Sequence, residues 1–397
     1  MREGWEVKKL IEVCEKITDG THQTPTYFDD GVLFLSSRNV TSGTIDWENV
    51  KYIDAKQHGE MQRRVSPRLN DILLAKNGTT GVAAMVDRDV PFDIYVSLAL
   101  LRPLATVHPT FLLHFINSPL AKKQFTKRLK GVGVPNLHLE EIREVEIPIP
   151  PLPEQQRIVG ILDKAFAGLA VAVANAEKNL QNARALFESH LQSVFTQRGE
   201  GWVDRQLKEV CEKITDGTHQ TPKYFDEGVV FLSSRNVTSG TIDWDRIKYI
   251  DMNQHLEMHK RIAPRRNDIL LAKNGTTGVA AIVDRDTIFD IYVSLALLRP
   301  LPVIRPRFLL HFINSPTAKV QFNKRLKGVG VPNLHLEEIR EVRLVFPADL
   351  EAQDRVVDEL DSLRTETKRL AAIYERKLAA LVELKKSLLH QAFGGEL

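Results

Sequence analysis

Along the first part of the chain, short apolar runs are bounded by Gly, Asn, Asp and Pro: GVLFLSS from Gly31, NDILLAK from Asn70, GVAAMVD from Gly81 and IYVSLALLRPL from Ile94. Runs of this length predict strands separated by turns. The pattern then changes period. FLLHFINSPLAKKQFTKRL, from Phe111, reads as one amphipathic helix or a broken pair. IPIPPLP, from Ile147 to Pro153, predicts an extended connector, because the residue before each proline is steered away from helix. From Glu154 to about Phe195 there is no proline, glycine occurs only at Gly160 and Gly168, and Ala, Leu, Glu, Gln and Lys dominate. That composition predicts one long helix.

The whole pattern then recurs. WEVKKLIEVCEKITDGTHQTPTYF from Trp5 returns as WVDRQLKEVCEKITDGTHQTPKYF from Trp202, and the match runs to EEIREVEI and EEIREVRL, ending at Ile147 and Leu344. Roughly three-quarters of the paired positions are identical, at a period of about 200 residues, so a whole domain is duplicated rather than a solenoid unit. VFPAD marks the second junction with less proline, and Leu350 to about Phe393 predicts a second long helix. In it Val356, Leu360, Leu363, Thr367, Leu370, Tyr374, Lys377, Leu381, Leu384 and Leu388 follow the heptad spacing of a coiled-coil seam. The equivalent positions of the first helix, from Ile158 to His190, are richer in small residues, as if to allow close approach. Chain order predicts a dumbbell with pseudo-two-fold symmetry. Its lobes would be held apart by two antiparallel helices, each spanning on the order of 60 Å.

Composition adds limits. With 43% hydrophobic and 26% charged residues the chain is an ordinary globular one, which excludes disorder and a disulfide scaffold as its main state. Lys and Arg number 54 against 51 acidic residues, so the formal charge is +3 and any basic surface must be local. Cys14 and Cys211 are too few for a cysteine-based zinc site. No apolar run approaches a membrane span and MREGWEVKKL has no signal-peptide core, so a cytoplasmic protein without membrane association is expected. HExxH, GxSxG, GxGxxG and the P-loop pattern are absent; no catalytic or metal-binding residue is assigned, and His22 with Asp19 imitates only half of an acid–base pair.

Three repeated clusters carry the candidate chemistry. ITDGTHQTP offers Thr21, His22, Gln23 and Thr24, repeated as Thr218, His219, Gln220 and Thr221, with Tyr27 and Tyr224 just beyond. These groups can donate to and accept from base edges, or can form a hydrogen-bonded turn. SSRN contributes Ser37, Arg38 and Asn39, repeated as Ser234, Arg235 and Asn236, pairing a potential guanine reader with an adenine-compatible amide; Arg38 could equally pair with an acid inside its lobe. AKNGTTG brings Lys76, Asn77, Thr79 and Thr80, repeated as Lys273, Asn274, Thr276 and Thr277, in a glycine-bounded loop suited to phosphate or to a plain hairpin. KKQFTKRLKG adds Lys127, Arg128 and Lys130, and its copy Lys324, Arg325 and Lys327, as phosphate contacts or a solvated helix face.

VPNLHLEEIREVEIPIPPLPEQQRI at the first junction, RLNDILLAKNGTTGVAAMVD with its copy RRNDILLAKNGTTGVAAIVD, and the ending SLLHQAFGGEL stand in an order that resembles the specificity subunits of type I restriction-modification systems. The resemblance covers essentially the whole chain. It implies an α+β protein: two tandem-repeated α/β target-recognition domains, at 1–150 and 199–347, separated by a long antiparallel two-helix coiled coil formed by conserved helical spacers at 151–198 and 348–397. It further implies a noncatalytic DNA-binding subunit that takes a bipartite double-stranded target and docks two adenine methyltransferase subunits, with restriction subunits in the full complex. No string resembles the NPPY-type methyltransferase motif. S-adenosylmethionine therefore belongs to the methyltransferase partner and ATP with Mg to the restriction partner, and this chain holds no cofactor. The second junction, PADLEAQDR, departs from the pattern, which puts the contacts carried by that motif in doubt there. Most members carry dissimilar lobes, whereas near-identical lobes imply a palindromic or nearly palindromic target. Without the resemblance, a duplicated adaptor binding protein ligands stays open.

Overall fold

Ile72 to Ala75 are buried at all four positions because their strand has a packed layer on each face. The protein is seen here in a computed structural model that describes residues 3–40, 43–78, 80–130, 136–197, 199–237, 240–275, 277–326 and 333–397. It divides into two compact units, Met1–Ala176 with Arg376–Leu397, and Glu177–Glu375. The first unit runs β1 (Glu6–Lys9), α1 (Leu10–Val13), β2 (Cys14–Asp19), β3 (Val32–Leu35), β4 (Lys51–Ile53), α2 (Ala55–Gln62), β5 (Ile72–Ala75), β6 (Ala83–Met85), β7 (Phe92–Ile94) and β8 (Leu98–Pro103). Then follow α3 (Pro109–Ile116), α4 (Pro119–Arg128), α5 (Leu139–Arg143), β9 (Glu146–Ile149) and the helix α6 (Leu152–Thr196), which continues into the second unit. There the order repeats as β10 (Trp202–Gln206), α7 (Leu207–Val210), β11 (Cys211–Asp216), β12 (Val229–Leu232), β13 (Lys248–Ile250), α8 (Met252–Arg261), β14 (Ile269–Ala272), β15 (Ala280–Ile282), β16 (Phe289–Ile291) and β17 (Leu295–Pro300). It closes with α9 (Pro306–Asn314), α10 (Pro316–Asn323), α11 (Leu336–Arg340), β18 (Arg343–Pro347) and α12 (Leu350–Gly394).

Each unit is built on an antiparallel sheet in the order β2-β8-β5-β6, or β11-β17-β14-β15. Side chains alternate between its faces. Ile72, Leu74, Ala99 and Leu101 join the core under α3, α4 and α5, while Leu73, Ala75, Leu98 and Leu100 pack toward a three-stranded sheet, β4-β3-β7. The run IYVSLALLRPL is therefore two strands and not one. β7 pairs parallel with β3, the Leu98 amide donates to the Tyr95 carbonyl to close a turn, and β8 enters the other sheet. Burial of both pieces keeps the run apolar and hides the break. The helical run after it is the broken pair: Ser118 caps α4, accepting from the Ala121 amide at 3.3 Å, and Pro119 follows at the first helical position.

The proline-rich connector is extended and also paired, β9 lying antiparallel to β1 with Glu6 opposite Ile149. Just beyond it Gln155, fully buried, accepts from the His108 amide at 2.8 Å and donates to the Thr106 and Pro150 carbonyls. Gln353 repeats all of this on Arg305, Val303 and Pro347. The doubt about the second junction is thereby corrected, because the one side chain that fastens helix to lobe survives in PADLEAQDR.

In the first unit Ile158 and Leu162 of α6 share a core with Leu389 and Phe393 of α12; in the second, Leu191 and Phe195 share one with Val357 and Leu360. The start of one helix meets the end of the other in each case, so the helices run antiparallel. The heptad seam holds only in part. Leu360 and Thr367 are buried, but Lys377 and Leu384 are exposed and burial moves to Leu389, Ala392 and Phe393. At 3.6 residues per turn a helix drifts about 20° per heptad from a 3.5 repeat. In the first helix an 18-residue window reaches a mean hydropathy of 1.6 with only 17% of it buried, so by length and composition this helix is apolar enough to cross a membrane. That corrects the run-by-run reading, in which Asp163 and Lys164 interrupt the stretch.

Candidate nucleic-acid interface

Asp19, at the end of β2, is buried and gathers three cationic or ionisable side chains. Lys76 Nζ donates to Oδ2 at 2.7 Å, Arg64 donates to Oδ1, and His22 Nε2 stands 3.3 Å from Oδ1. Burial alone would push this carboxyl up, but the hydrogen bonds and charge of Lys76, with those of Arg64 and His22, outweigh it and hold the pKa below the usual carboxylate value. Asp216 repeats the hub with Lys273, Arg261 and His219. Two site assignments are thereby corrected. Lys76 and Lys273, each 7% exposed, neutralise a buried carboxylate and are not presented to phosphate.

The next residue lets the reading loop start. A Cβ on Gly20 would lie 1.8 Å from the Ile94 carbonyl oxygen, so only glycine allows Thr21 to bridge to Tyr95. Thr21 Oγ1 then accepts from the Gln23 amide at 3.2 Å, a turn that occupies the hydroxyl and leaves the His22 and Gln23 side chains exposed. Thr218, His219 and Gln220 do the same.

Beyond the loop lies an open groove, about 660 Å³ in the second unit, walled by Thr221, Tyr224, Ser234, Arg235, Arg246 and Lys248 among others. Thr221 and Tyr292 hydroxyls meet at 3.4 Å, as Thr24 and Tyr95 do at 3.3 Å. Lys248 Nζ sits 3.8 Å over the Tyr224 ring, and Lys51 sits at the same distance over Tyr27. Such stacking holds an aromatic face beside a cation. Arg38 and Arg235 are exposed on a short 3-10 turn whose first amide, from Ser37 or Ser234, donates to Ser97 or Ser294 Oγ at 3.0 Å. The neighbouring amide is not a reader. Asn39 accepts from the Ser36 amide and hydroxyl and donates to the Asp46 and Asn49 carbonyls, and Asn236 is used up in the same way. Both are buried staples of the groove wall.

Asn77 and Asn136 bridge the glycine loop to the segment after α4, and Lys130 exchanges both backbone hydrogen bonds with Asn136. The Oδ1 atoms of Asn77 and Asn136, and of Asn274 and Asn333, are buried without a donor among the described residues. The Thr80 and Thr277 amides close the loop turn onto the Gly78 and Gly275 carbonyls. Lys130 Nζ pairs with Glu141. Lys127 and Arg128 lie on α4, whose Phe125 packs in the helix-side core, whereas Val40, at the end of the Arg38 turn, packs in the core on the other face of the sheet. The basic helix and the groove are not one surface. Lys127 and Lys324 are exposed, but Arg128 spends its guanidinium on the Gln124 and Glu144 carbonyls and Arg325 on that of Gln321, which corrects their assignment to phosphate. Thr79, Thr276 and Lys327 fall outside the described residues. Sequence reasoning missed Arg64, Lys51, Tyr95 and Asn136; repetition of each in the second lobe was the available signal.

A groove of hydroxyls, aromatic faces and an exposed arginine, built twice, belongs to the class of polar macromolecular readers and not of enzymes with a closed pocket. The family described as type I restriction modification DNA specificity domain matches residues 2–179 and again 199–375, and the chain belongs to that family. It is 22% identical over 426 residues to the type I restriction enzyme EcoKI specificity subunit of Escherichia coli (strain K12), covering 100% of this chain and 89% of that protein. The crystal structure of the HsdS subunit from Thermoanaerobacter tengcongensis matches with a TM-score of 0.63 at 21% identity, over 100% of this chain and 98% of that one. A chain solved in work on complex assembly and conformational transition of the type I R-M system matches at 0.78, also 21% identical, over 100% and 99%. These likenesses show a shared fold along the full length.

Proposed function

We propose that the chain reads double-stranded DNA through the duplicated groove, one half-site per lobe, and supplies no catalytic group. The observation that carries this is the exposed Arg38 and Arg235 beside Tyr, Ser and Thr side chains, at matched positions in both lobes of a DNA-specificity family member. Arginine is suited to guanine, and hydroxyls serve either base edges or phosphates. Matched side chains select matched half-sites, so the bipartite target is nearly palindromic. Among the groove residues one clear difference stands out, Asn49 where the second unit has Arg246, and it is the place to expect a departure from symmetry.

Methyl transfer then comes from two copies of one adenine methyltransferase, each bringing S-adenosylmethionine, and restriction subunits bring ATP and Mg. The helices are the docking elements. Ile161 and Val171, 37% and 63% exposed in the apolar stretch of α6, offer the kind of unpartnered surface that a helical partner covers. Native mass spectrometry of the chain with its methyltransferase should show a complex with two methyltransferase copies, which shifts specific DNA ahead of scrambled DNA at fixed salt. Val171→Glu should weaken docking by at least about 2 kcal/mol while the lobes stay folded. Methylation by this chain alone would overturn the proposal.

A further inference from the structure

A cluster outside the groove is complete in only one lobe. α8 carries His255 and His259 one turn apart on one face, and β16 sets Asp290 beside them. His255 Nδ1 is 2.7 Å from Asp290 Oδ2, and the two imidazoles are 4.7 Å apart between centroids. One donor atom from each of the three residues lies within 4.8 Å of the others. Two polar atoms of the cluster, Asp290 Oδ1 and His259 Nδ1, are buried with no hydrogen-bond partner among the described residues. Leaving such atoms unsatisfied costs free energy that a bound cation would recover.

The first lobe supplies the control. His58 and Asp93 form the same imidazole–carboxylate pair on α2 and β7, but Gln62 stands where the second lobe has His259. The pair alone therefore suffices to hold helix to strand, and the second histidine is surplus to the fold.

We propose that the second lobe binds one divalent transition-metal ion, of the zinc, cobalt or nickel class, through His255, His259 and Asp290, and that the first lobe binds none. Two imidazoles and a carboxylate are the donor set such ions favour, and three protein ligands leave a position for water. Closing the set onto an ion at about 2.0–2.2 Å from each donor requires rotation of His259, the least buried of the three. The same helix clamps the reading loop: Gln254 bonds both backbone groups of Lys223, and Arg261 bonds Asp216. An ion at α8 and β16 would thus stiffen one lobe's loop and not the other's, and the metal site stands whether or not the groove reads DNA.

The untagged full-length chain is titrated with zinc chloride by calorimetry and with cobalt chloride by visible absorption. One ion per chain is expected, the site weakening by more than about 100-fold in His259→Gln, which installs the first lobe's own residue. Gln62→His should raise the stoichiometry to two. Circular dichroism reports that each variant is folded. Absence of binding to the natural chain, unchanged binding in His259→Gln, or no second ion in Gln62→His would each overturn the assignment.

Discussion

Asp19→Asn should destabilise the first lobe by about 3–5 kcal/mol, because the substitution keeps the shape of the side chain but strands the Lys76 charge in a buried site. Two lobes need not unfold in one step, so denaturant unfolding should show one transition moving while that of the second lobe stays in place. The sign of the pH dependence follows from the depressed carboxyl. Its contribution is present above the unfolded value of about 3.9 and is lost as pH falls through the lower folded value, so the gap between variant and parent closes in strong acid. Lys76→Met added to Asp19→Asn should recover much of the loss, since both partners of the pair are then neutral. If the single variant is as stable as the parent, the hub does not hold the reading loop.

Arg38→Ala should abolish discrimination at one or two positions of one half-site, at roughly 1–3 kcal/mol for a bidentate base contact, and leave the other half-site unchanged. Arg235→Ala should do the same for the opposite half-site. Lys127→Ala should instead weaken all sequences alike if it touches DNA, with a salt slope smaller by about 0.9 per phosphate lost. Binding to a panel of singly substituted half-sites at fixed salt separates these outcomes. Uniform loss in Arg38→Ala, with altered base preference in Lys127→Ala, would reverse the two roles. The earlier pairing of Lys127 with Arg128 in one variant is not informative, because removing Arg128 frees two carbonyls that tie α4 to the end of α5.

The duplication, the α+β lobes and the two long helices were legible because each is a pattern: identity at a fixed period, or composition sustained over many turns. What pattern could not show was burial. The letters of AKNGTTG give Lys76 a charge but not the carboxylate that absorbs it, and SSRN gives Asn39 an amide but not the four hydrogen bonds that consume it. IYVSLALLRPL hid a turn because strands in two different sheets are equally apolar there. The two histidines of α8 escaped notice because the carboxylate that gives them meaning lies on a distant strand, β16, brought near only by the fold.

The central claim is that two near-identical lobes read two near-identical half-sites. The direct test is to sequence the methylated adenines in DNA from cells that contain this chain and its methyltransferase, with a deletion of the chain as control. The account predicts one bipartite motif whose halves are inverted copies, differing at most where Asn49 and Arg246 differ, and loss of that motif in the deletion. Two unrelated half-sequences, or a motif that survives deletion of the chain, would contradict it.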